Sequence, residues 1–147
     1  FNVIDCKLSW QKRGDYLVVK VDRYTKKSGE KNNPKYSGLI YNFEIFHMRE
    51  KNVPLDTLEV KGRREKIAEF YLKIHLESIQ SFAVEPNGHK LIVITGENLR
   101  TNVTFYRMGQ GQKSGKIEAL KVVNQPVTSA IWAPNGSYVV LAAMKTG

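Results

Sequence analysis

Cysteine is almost absent from this chain of 147 residues: Cys6 is the only one. No internal disulfide can form, and a reducing compartment is expected. Long apolar runs are missing too. None approaches the roughly 18 residues of a membrane-crossing helix, and no basic, apolar, small-residue leader opens the chain, so no membrane is expected among its partners. Histidine is limited to His47, His75 and His89. Neither His-x₃-His nor Cys-x₂-Cys spacing occurs, which argues against a zinc site. There is no Gly-x-Ser-x-Gly elbow and no phosphate-cradling glycine loop ahead of a helix. The stretch GQGQKSGK (109–116) lacks Walker spacing and joins two apparent strands. No cofactor, metal or catalytic residue is therefore expected, and the chain reads as non-enzymatic. Acidic residues are also in deficit, 14 against 23 Lys and Arg, for a net charge of +9. Such a surplus favours acidic partners, nucleic acid first.

What the chain does have is a repeat. Gly14, Gly88 and Gly136 align, with Trp10, Val84 and Trp132 four residues before them and Leu17, Leu91 and Val139 three residues after. The later copies share Pro-Asn-Gly (86–88 and 134–136). Pro presets the turn's first φ, Asn suits the next position and Gly takes a left-handed one. With apolar, β-branched runs on both sides, this is a hairpin. The repeat continues as YNFEIFHM (41–48) against TNVTFYRM (101–108), and LDTLEV (55–60) against KIEALKVV (116–123). Each unit therefore holds four strands, a to d. In the first they span 6–10, 16–22, 42–48 and 56–60; in the second 79–85, 90–95, 102–108 and 117–123. Strands a and b of a third unit span 127–133 and 138–144. Trp10 and Trp132 on strand a are expected in the core.

The glycines are 74 and 48 residues apart. A spacing near 48 fits four-stranded propeller blades. A β-sandwich would have similar strands but does not predict the same four-strand block recurring in register. The expected fold is all-β, a partial WD-like β-propeller of about two and a half blades. Residues 1–60 form a blade with a basic insertion at 23–40, 61–75 a basic inter-blade insertion, 76–124 a second blade and 125–147 the first hairpin of a third. WD and GH signatures are missing at their usual places. A first residue that is Phe rather than Met, and a third unit without strands c and d, imply a piece of a larger ring.

Both insertions are basic. Arg23 to Gly38 carries Arg23, Lys26, Lys27, Lys31 and Lys35 against Glu30, net +4. Its Ser, Gly, Asn and Pro predict a loop, with Tyr24 and Tyr36 interleaved where they could stack on bases or ribose. Lys61 to His75 carries Lys61, Arg63, Arg64, Lys66 and Lys73 against two acids, net +3. Ile67, Phe70 or Tyr71, and Ile74 fit a helix, while Phe70, Leu72 and Ile74 fit a strand equally well. A solvated basic surface accounts for the same charges. The candidate nucleic-acid contacts are Lys26, Lys27, Lys31, Lys35, Arg63, Arg64 and Lys66.

Several long segments carry a resemblance. FNVIDCKLSWQKRGDYLVVKVDR, NFEIFHMREKNVPLDTLEV, SFAVEPNGHKLIVITGE, VTFYRM and AIWAPNGSYVVLAAMK, in that order, closely resemble the propeller of the family of b subunits of eukaryotic translation initiation factor 3. That resemblance implies a cytoplasmic, non-catalytic scaffold with an RNA-recognition domain, a nine-bladed propeller that docks on the small ribosomal subunit (rRNA and ribosomal proteins), and a C-terminal helical segment binding other members of the complex, the i and g subunits among them. Lys26–Lys35 and Lys61–Ile74 look longer than that family's pattern, so the candidate contacts rest on charge and placement alone. Two other classes compete: a WD-like adaptor outside translation, and a propeller-capped peptidase, which would need a downstream α/β domain with a nucleophile elbow.

Overall fold

The computed structural model describes residues 3–60, 63–68, 71–75, 79–109 and 117–144, and among them every regular element is a strand. β1 (Val3–Trp10), β2 (Tyr16–Glu30), β3 (Asn33–His47) and β4 (Leu55–Val60) form one antiparallel meander in the order β1-β2-β3-β4. β5 (Arg63–Ala68) and β6 (Tyr71–His75) form a two-stranded sheet of their own among the described residues. β7 (Ile79–Val84), β8 (Lys90–Glu97), β9 (Arg100–Arg107) and β10 (Glu118–Asn124) make the second four-stranded sheet, and β11 (Ser129–Trp132) pairs with β12 (Val139–Ala142). The expected strands and their order are present.

The repeat extends to register. Val18 faces Ile45 and Lys20 faces Phe43 across β2 and β3; at the aligned positions Ile92 faces Phe105 and Ile94 faces Val103 across β8 and β9. Alternation along a strand sends these residues to one side and their neighbours to the other. Val18, Phe43 and Ile45 pack against Leu91 and Val93, with Phe82 and Val84 alongside. On its opposite side the second sheet presents Ile92, Ile94 and Val103 to Val127, Ala130, Trp132 and Leu141. Each unit thus buries strands a and b on the face left by the unit before it, as stacked propeller blades do.

Among the described residues no sheet covers the outward side of β1. Trp10 and Leu8, aligned with the packed Val84 and Phe82, are consequently 57% and 63% exposed. The expectation of two core tryptophans holds only for Trp132, which is half-buried and whose indole N–H donates to the Ala83 carbonyl at 3.4 Å.

Turns knit the seams at one end. Gln11 Nε2 donates to the carbonyls of Glu85 (3.2 Å) and Gly88 (2.5 Å), and the Arg13 amide donates to Pro86 O at 3.3 Å. One unit on, Asn87 Nδ2 donates to Pro134 O at 3.3 Å. Gly14 (φ 77°) and Gly136 (φ 74°) take the left-handed conformation expected of them, whereas Gly88 does not. At 88 a Cβ would meet the Glu85 carboxylate, which accepts the Lys90 amide at 3.1 Å and would have to swing aside.

A candidate nucleic-acid interface

The basic insertion at 23–40 is a paired ribbon, not the loop its composition predicted. β2 and β3 run on past the sheet in unbroken register, from Arg23 opposite Ile40 to Glu30 opposite Asn33. Seven steps of about 3.3 Å from Arg23 to Glu30, with the Lys31–Asn32 turn beyond them, give an arm roughly 25 Å long. Gly29 (φ 96°) makes the tip possible, since a Cβ there would stand 2.6 Å from Asn33 O. Pro34, lacking an N–H, is tolerated because the ribbon has free edges.

Near the root Arg23 pairs with Glu44 at 3.7 Å. Farther out, the Tyr24 and Tyr36 rings stack on each other, centroids 5.6 Å apart at 19°, and the Lys27 ammonium lies over the Tyr36 ring at 5.9 Å. The tyrosines expected to face bases are thus engaged within the arm and stiffen it. Lys26, Lys27, Lys31 and Lys35 are exposed, and among the described residues none makes an ion pair. A set of unneutralised ammonium groups on a solvated ribbon suits phosphate contact.

The second insertion resolves its helix-or-strand ambiguity as a hairpin. Arg63 is opposite His75, Arg64 opposite Ile74 and Lys66 opposite Leu72. Lys61 lies outside the described residues. The two arms share an end of the molecule. β4 closes with Val60 opposite Tyr41, beside the row in which Tyr41 meets Asp22 at the root of the ribbon, and the chain re-enters at Ile79 opposite Thr95. Strand parity, already present in the sequence, requires this: in a meander, b–c and d–a connections fall at one end and a–b and c–d turns at the other.

The opposite end is chemically different. Arg49 and Arg13 both pair with Asp15, at 2.6 and 3.6 Å, so part of its charge is met internally. Below them His47 Nε2 lies 2.5 Å from Asp56 Oδ2, both side chains 2% exposed, and His47 Nδ1 lies 3.5 Å from Glu50. Tyr16 packs edge-on to His47 and His89, and its hydroxyl lies 2.7 Å from His89 Nδ1 and donates to Gly109 O at 3.2 Å. Burial, with lesser contributions from Glu50, Asp15 and Asp56, pushes the Tyr16 hydroxyl up to about 12. Buried and internally satisfied, this cluster fastens the first sheet to the second. Among the described residues no group of three or more His, Cys, Asp or Glu side chains could hold a metal ion, and no helix is long and apolar enough to cross a membrane.

Repeated antiparallel sheets stacked face on face, carrying two basic hairpins at one end, define a segment of a WD-like propeller. The chain belongs to the family described as "Eukaryotic translation initiation factor eIF2A", whose profile matches residues 1–146. It is 44% identical over 142 residues to the B subunit of eukaryotic translation initiation factor 3 from Bombyx mori, covering 97% of this chain and 18% of that protein. The Culex quinquefasciatus protein of the same name is 43% identical over 149 residues, covering 100% of this chain and 19% of the relative, and that of Drosophila melanogaster 42% over the same shares. The resemblance carried by the five long segments is borne out, and the chain spans about a fifth of these relatives.

Proposed function

We propose that the chain is part of a non-catalytic scaffold protein of a cytoplasmic translation initiation factor complex, its propeller docking on the small ribosomal subunit during initiation. The names of its relatives support membership of that complex; the i and g subunits are the proposed partners within it. The two sheets and the β11–β12 pair are the proposed blades and partial blade, with the two insertions as appendages. One observation carries the docking reading: an arm of four exposed lysines without ion partners among the described residues, projecting from a rigid sheet. Lys26, Lys27, Lys31, Lys35, Arg63, Arg64 and Lys66 are the proposed contacts.

Phosphate contacts give affinity that falls steeply with salt and carry no sequence readout. In the full-length protein, reversing Arg63, Arg64 and Lys66, or the four ribbon lysines, to Glu is expected to weaken ribosome docking at least tenfold and flatten its salt dependence. Unchanged docking across the salt series removes those residues from the interface.

A further inference from the structure

Charge and topology coincide at one end of the molecule. The segments 23–38 and 61–75 carry net +4 and +3 of the chain's +9, leaving +2 for all the rest. Both leave the sheets at the b–c and d–a end, from the neighbouring central and outer strands of the first sheet. Adjacent strands are about 4.8 Å apart and packed sheets about 10 Å apart, so the arms are rooted within a few side-chain lengths of each other. An arm roughly 25 Å long exceeds the Debye length of about 8 Å at physiological salt, so its tip charges act on a partner beyond the screening of the body.

We propose, building on the docking reading above, that the β2–β3 ribbon and the β5–β6 hairpin act as one bipartite clamp on the phosphate backbone of double-helical RNA. Duplex is favoured over single strand by the state of the tyrosines: Tyr24 and Tyr36 stack on each other and the Lys27 ammonium lies over Tyr36, whereas single-strand binders offer open rings to bases. What remains is point charge on two hairpins, suited to the regular backbone of an A-form helix and not to base edges.

Two linked binding elements make the second contact intramolecular, and avidity then exceeds either alone by orders of magnitude. The purified full-length protein is titrated with a labelled RNA duplex and with a single strand of the same length. Three variants are compared with the parent: K26Q/K27Q/K31Q/K35Q, R63Q/R64Q/K66Q, and the two combined. Replacing 26–37 by a short Asn-Gly turn provides a second ribbon variant should the first not fold. Each single-arm variant is expected to lose about tenfold or more in duplex affinity, and the combined variant far less than the product of the two losses. A combined loss equal to that product, a loss confined to one arm, or preference for the single strand overturns the clamp. Docking of the same variants on the small ribosomal subunit, measured in parallel, separates the two claims. Docking lost while duplex affinity is unchanged sinks the clamp alone, and coupled duplex loss with intact docking supports the clamp and sinks the docking role of these arms.

Discussion

Lys20 points into the seam where the aligned position of the second sheet holds Ile94. Its ammonium meets the Asp22 carboxylate at 2.9 Å and lies over the Tyr41 ring at 5.3 Å. Burial, then Asp22 and Glu97, raises the Tyr41 hydroxyl above its ordinary value. A buried pair contributes little net stability but is costly to break from one side. Replacing both partners with apolar residues, Lys20→Met with Asp22→Leu, is therefore expected to leave the melting temperature of the full-length protein nearly unchanged, whereas Asp22→Ala alone lowers stability by about 3 kcal/mol. An equal loss in the double and the single variant would contradict this account. Tyr16 gives a second residue-level prediction. Its folded pKa is raised to about 12 from an unfolded value of 10, so the native state keeps a proton that the unfolded chain releases. The associated stability is fully present below pH 10 and is lost as pH rises from 10 towards 12. Denaturation of Tyr16→Phe across that range should show a shallower decline than the parent protein.

Among the elements, the ribbon depends on its tip. Gly29→Ala places a methyl against the Asn33 carbonyl at a positive φ and costs about 1–2 kcal/mol locally. Amide exchange in 26–35 should accelerate in that variant while β7–β9 stay protected; uniform acceleration would mean that the ribbon is part of the core. The strands of the two sheets and their order were legible from the glycine-centred hairpins, because one buried face imposes a period of two. The ribbon was not: both its faces are solvated, so no hydrophobic period marks it, and Gly29, Pro34 and the Ser and Asn residues read as loop. Residues 61–75 satisfied both periods at once, and only pairing between β5 and β6 decides. The seven candidate residues were found by charge alone. Their common placement was implicit in strand parity, and the engagement of Tyr24 with Tyr36 had no sequence signal.

At the scale of the molecule, the exposed side of β1 is the complement of a surface that recurs at both inner seams. Leu8 and Trp10 stand where Phe82 and Val84, and then Ala130 and Trp132, are packed. An apolar strand face of this kind calls for another sheet of the same sort in the full-length protein. Cys6 on β1 reports on it, being exposed in this chain. Thiol labelling followed by peptide mapping should find Cys6 reactive in the excised segment and protected in the full-length protein. Equal labelling rates in both would rule out a covering sheet.

The turn-to-turn bonds run one way. Gln11, Arg13 and Asn87 are donors, and each finds its acceptor in the unit that follows it in the chain, at Glu85 and Gly88, at Pro86, and at Pro134. During synthesis, then, the first and second units each emerge with a latch made but its catch not yet translated. Fastening of these two seams must trail the nascent chain by one unit, and a stall in elongation would leave the most recently made unit unfastened.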